Sequence, residues 1–181
     1  LDYHISYLTN FLGGAKRRAN GILFAQTSTA SCSNTVTETT ISSSGTGSLT
    51  LPANFFAVGR SLKFEASGYH SSTGNPTITI KLKYGSTVIA TMTGSSGNGT
   101  NNTFSIIGNT TCRTIGSSGL VFTQSTFQEW HNNGLSAGNN AVATVTINTT
   151  TSNAISITAQ WGTANSGNNI HLTNFILTAI N

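Results

Sequence analysis

Acidic side chains are almost missing from this sequence. Asp2, Glu38, Glu65 and Glu129 are the only four in 181 residues, and they are far apart. Hydrolysis by paired carboxylates needs two acids close together in a cleft, and nothing in the spacing favours any pair. The net charge of +4 therefore reflects a shortage of acids more than a cluster of bases, which weighs against nucleic acid as a partner. The one basic run, Lys16-Arg17-Arg18, reads as a solvated linker. Two cysteines, Cys32 and Cys112, make no metal-binding spacing. A disulfide between them stays open, with two independent buried thiols preferred. No stretch approaches the roughly 20 apolar residues that a membrane-spanning helix requires, and no signal-peptide pattern opens the chain. It begins at Leu1, which is the expectation for a processed or excised product.

What is abundant is Thr, Ser, Asn and Gly, alongside 36% apolar residues. Thr suits half-buried strands, while Gly, Asn and Ser supply turns. From residue 20 onward the apolar residues alternate with polar ones, the period of a strand with one buried face. Gly21–Thr27 and Asn34–Ile41 read as a first pair of strands, with Gly47–Leu51 a short third. Leu62, Phe64 and Ala66 alternate with Lys63, Glu65 and Ser67. The clearest hairpin follows: Thr77–Tyr84 turns at Gly85-Ser86 and returns over Thr87–Thr93. A loop over 94–102 precedes strands at Thr103–Ile107 and Leu120–Phe127. A second loop over 134–140 precedes alternating runs at 143–148 and 155–161.

The last strand changes phase. Ile170 and Leu172 set one face, then Phe175, Leu177 and Ala179 take the other, which predicts a bulge near Thr173-Asn174. Ile176 and Ile180 make the opposite face apolar as well, and a strand apolar on both faces needs two covers. Phe175, Ile176, Leu177 and Ile180 are accordingly the expected oligomer interface. Residues 1–14 form the only helix candidate, with Leu1, Ile5, Leu8 and Leu12 on one narrow stripe. They are read as an anchor segment, 1–19, ahead of one domain, 20–181. The expectation is an all-β jelly-roll sandwich of about eight to ten antiparallel strands.

Three stretches carry a family resemblance: Leu51–Gly68 (LPANFFAVGRSLKFEASG), Asn75–Gly85 (NPTITIKLKYG), and Thr158–Ala164 (TAQWGTA) leading to Asn169–Asn174 (NIHLTN). Over residues 20–181 the chain resembles a virion-associated jelly-roll domain family of phages and other DNA viruses. That resemblance implies a shape like the tumour-necrosis-factor and complement-type heads. It also implies assembly as a homotrimer, contact with other virion proteins, and a place on the particle surface as spike, fibre head, decoration or minor capsid protein.

Chemistry is sparse. His4, His70, His131 and His171 each lack a second ligand at metal spacing, no Ser or Cys nucleophile has a His and acid beside it, and Gly94–Gly99 lacks the Lys of a phosphate loop. No catalytic, cofactor or metal residue is assigned and no enzyme is expected. Glu65 is expected to pair with Lys81 or Lys83 across a sheet. Glu129-Trp130-His131 is the densest polar cluster. The alternative function is a receptor- or glycan-binding adhesin, in which exposed Tyr69, His70, Trp130 and His131 stack on sugar rings.

Overall fold

The computed structural model describes residues 21–131 and 134–181; the helix stripe Leu1, Ile5, Leu8 and Leu12 lies outside them. The described residues form thirteen strands and no helix. In chain order they are β1 Gly21–Gln26, β2 Ala30–Ser33, β3 Thr39–Thr40, β4 Gly45–Gly47, β5 Thr50–Leu51, β6 Ser61–Ser72, β7 Thr77–Tyr84, β8 Thr87–Ser95, β9 Gly99–Thr114, β10 Gly119–His131, β11 Gly134–Ile147, β12 Asn153–Trp161 and β13 Asn169–Ala179. Every pairing is antiparallel. The large sheet runs β11-β10-β9-β6-β13-β1-β4, with β2 also on β13; the small one runs β3-β12-β7-β8, with β5 also on β12. The result is a jelly-roll-like β-sandwich.

Alternation decides what each sheet presents to the other. Along β6 the even-numbered residues from Leu62 to Ser72 are buried and the odd-numbered ones half-buried. On the small sheet Ile78, Ile80, Leu82 and Tyr84 of β7 and Ile155, Ile157, Ala159 and Trp161 of β12 face inward. Against them pack Phe64, Phe104, Phe127, Phe175 and Leu177, all within 1% exposure. Burying one such side chain contributes about 1.5–3 kcal/mol, so the interlayer core is the main source of stability. Trp161 satisfies its one polar atom there: Nε1 donates to the Cys32 carbonyl at 3.2 Å. Cys32 and Cys112 are separate buried thiols.

The bulge falls where the phase change places it, between Leu172 and Asn174 of β13. It rotates Phe175 into the core beside Phe24, ring centroids 5.9 Å apart. The bulged backbone also presses on β6 at Gly68, where a Cβ would stand 1.9 Å from the His171 carbonyl oxygen. Only glycine fits there. This geometry corrects half of the expected interface: Phe175 and Leu177 are 0% and 1% exposed, spent on the chain's own core. Ile176 is half-buried on the outer face, and Ile180 is 44% exposed.

Several boundaries differ from the sequence reading. Asn34–Ile41 is not one strand, since the chain bends between β2 and β3. The expected loops over 94–102 and 134–140 are partly or wholly strand, because β9 starts at Gly99 and β11 at Gly134. Lys81 and Lys83 pair with Glu38 on the outside of the small sheet, at 2.6 and 2.8 Å. Glu65 lies in the large sheet and meets Lys63 at 2.9 Å.

Candidate functional site: a buried His-Glu-His cluster and an outer aromatic row

The two faces of one end of the large sheet carry different chemistry, and strand alternation sorts the residues between them. In β10 the inward series Val121, Thr123, Ser125, Phe127 continues to Glu129, with Trp130 turned outward and His131 inward again. In β6 His70 follows Phe64, Ala66 and Gly68 inward, while Tyr69 points out. The sequence expectation that His70 is exposed beside Tyr69 is therefore corrected. His70 is 0% exposed, and the four suggested ligand-binding residues split into two pairs on opposite faces.

On the inner face β9 lies between β6 and β10, and its Asn102 is the register partner of His70. Asn102 Nδ2 lies 3.2 Å from His131 Nδ1. Glu129 sits between the two imidazoles, with Oε1 3.4 Å from His70 Nε2 and Oε2 3.6 Å from His131 Nε2. Neither contact has hydrogen-bond geometry, and all four of these atoms are buried without a partner among the described residues. Each residue offers one donor atom, and the three lie within 4.8 Å of one another.

The proton on His70 can be placed by following the hydroxyls. Ser72 Oγ donates to the Gly97 carbonyl at 2.6 Å, and Ser96 Oγ donates to Ser72 Oγ at 2.8 Å. Ser96 has one proton, so toward His70 Nδ1, 3.0 Å away, it accepts. His70 thus carries its proton on Nδ1 and turns the Nε2 lone pair toward Glu129. Burial holds this imidazole down at about 4, with His131 adding to the effect. Burial also pushes the Glu129 carboxyl up, against the pull of His131.

The small sheet closes over the cluster. Trp161 and Phe104 flank the His70 ring at centroid distances of 6.4 and 6.5 Å. Gly94 of β8 roofs Glu129: a Cβ there would stand 2.7 Å from the Phe127 ring and 3.0 Å from Glu129 Oε2. The His131 side chain is 17% exposed, although its Nε2 is buried.

The outer face is built by the same registers. Trp130 pairs with Thr103, Thr103 with Tyr69, and Tyr69 with His171, giving one row across four strands. The Tyr69 and His171 rings stack at 4.6 Å with 20° between their planes, and Trp130 is 38% exposed. Further along the same face, β9 and β10 line a recess of about 390 Å³ with Ser105, Ile107, Asn109, Gln124, Thr126 and Gln128. His171 was missed in the sequence, because only the β6–β13 register brings it beside Tyr69.

No family model and no curated protein matches the sequence. Among solved structures, the CBM2 module of the evolved Dit of Lactobacillus casei BL23 phage J-1 is similar over 73% of this chain and 67% of that one, at 15% identity and a TM-score of 0.33. So loose a likeness carries neither fold nor function across.

Proposed function

We propose that this domain is a non-catalytic recognition module on the surface of a virus particle, and that it binds glycan on the outer face of its large sheet. The observation that carries the binding half is the Trp130–Thr103–Tyr69–His171 row running beside the amide- and hydroxyl-lined recess. An aromatic ring offers a flat apolar surface to the C–H face of a sugar, and neighbouring amides and hydroxyls serve its hydroxyl groups. A few placed polar groups around apolar surface is the usual make-up of a small-ligand site. The virion half rests on the three sequence stretches that resemble virion-associated jelly rolls.

A glycan array probed with the purified chain should give hits that Trp130→Ala weakens at least tenfold while the far-ultraviolet spectrum is unchanged. An array without hits, or hits indifferent to Trp130→Ala and Tyr69→Ala, would sink the binding reading.

The second reading, assembly as a homotrimer, is favoured by exposed apolar residues on the same face: Ile107 at 49% and Val142 at 61%. Light scattering decides it. A trimer that Ile107→Asp and Val142→Asp together reduce to a monomer would assign this face to self-association.

A further inference from the structure

We propose that His70, Glu129 and His131 form a zinc site that clamps β6 to β10 at the end of the sandwich. This goes beyond surface recognition and rests on different residues.

The first argument is the cost of the arrangement. Four buried polar atoms, His70 Nε2, His131 Nε2 and both Glu129 oxygens, face one another without hydrogen bonds. An unsatisfied buried carboxylate is costly, and native interiors hold few such groups. A divalent cation between them satisfies the nitrogens and the carboxylate together.

The second argument is distance. Zinc–nitrogen and zinc–oxygen bonds of about 2.1 Å at tetrahedral angles set neighbouring ligand atoms about 3.4 Å apart. His70 Nε2 lies 3.4 Å from one carboxylate oxygen and His131 Nε2 3.6 Å from the other, too long for good hydrogen bonds. One donor atom from each of the three residues falls within 4.8 Å of the other two, so a small inward shift of the side chains closes them on one ion.

The third is the surrounding shell. A ligating imidazole keeps its other N–H engaged, which fixes the ring. His70 Nδ1 already donates to Ser96, leaving Nε2 free to coordinate. Asn102 stands against His131 Nδ1, and a half-turn of its amide presents Oδ1 to accept that proton. Two imidazoles and a carboxylate form a nitrogen/oxygen set that suits zinc and is poor for magnesium or calcium, which prefer all-oxygen shells. Three protein ligands leave a fourth coordination position, which water fills.

The test uses the full chain, stripped with EDTA and dialysed. Zinc chloride should bind at one ion per chain by calorimetry and elemental analysis, and should raise the melting temperature in a concentration-dependent way. Magnesium and calcium should do neither. Glu129→Gln keeps the side-chain volume and removes the buried charge; in EDTA it should melt no lower than wild type, yet lose the zinc response. His131→Gln, at the partly open position, gives the same loss if Glu129→Gln fails to fold. Ser96→Ala should weaken zinc about 10- to 100-fold by releasing the His70 ring. His171→Ala, on the outer face, should leave zinc binding intact. Absence of a stoichiometric ion, an equal calcium response, or zinc retained by both ligand variants would overturn the proposal.

Discussion

Glu38 and Glu129 are both carboxylates flanked by two basic side chains, and what separates them is whether their oxygens find donors. At Glu38, Lys81 and Lys83 each meet one oxygen, and Thr158 Oγ1 donates to Oε1 at 3.0 Å. Those contacts hold its carboxyl at about 2. At Glu129 the neighbours are imidazoles, one of them neutral with its lone pair turned inward, and burial moves the carboxyl the opposite way. Glu38 lies on the outside of the small sheet with water at hand; Glu129 lies between the sheets. A carboxylate whose contacts are complete is holding strands in register. One buried among atoms with no partners indicates a group still to be bound.

The largest effect that would break this contrast lies on the buried side. His70→Ala removes an imidazole packed on Phe104 and Trp161 and leaves a cavity beside Glu129, so unfolding should become easier by about 3 kcal/mol. Urea titration measures it. A loss well under about 1 kcal/mol would mean the cluster is not part of the packed interior. Glu38→Gln is the matching change outside. It removes the charge that holds Lys81 and Lys83 together, and because solvent screens the cluster the loss should be no more than about 1 kcal/mol. If Glu38→Gln proved costlier than His70→Ala, the assignment of weight between the two regions would be reversed.

The same contrast shows how far the sequence could be read. Strands with apolar inner faces announced themselves: the 77–84 hairpin and the bulge at Thr173-Asn174 follow from alternation alone. β9 showed only its middle, Thr103–Ile107, because the inward positions on either side include Asn102, Gly108 and Thr110, which break the apolar alternation. Glu129-Trp130-His131 was visible as a polar cluster, but it fell past the expected strand Leu120–Phe127, and His131 was expected exposed beside Trp130. The third member of the buried site could not be found from alternation. His70 is 59 residues upstream and joins through the β6–β9–β10 registers, which polar strands leave unmarked. Glu38 was missed for a related reason: it precedes a two-residue strand, β3, too short to show a period, and so Glu65 looked like the better partner for the lysines.

The smallest expected effect concerns pH and isolates Glu38. Its carboxyl is held at about 2 in the folded chain against an ordinary value of 4.5. A group depressed by folding contributes stability that is complete above its unfolded value and is lost as pH falls toward its folded one. The difference in unfolding free energy between wild type and Glu38→Gln should therefore be constant above about pH 5 and shrink as pH falls through 4.5 toward the folded value, a screened loss of this size being used up within about the first unit of that range. Subtracting the variant cancels the titration of every group that does not interact with Glu38, including the buried cluster on the other side of the small sheet. A difference that stayed flat through this window would mean that Lys81 and Lys83 do not hold Glu38 in solution, and that the contrast with Glu129 lies in burial alone.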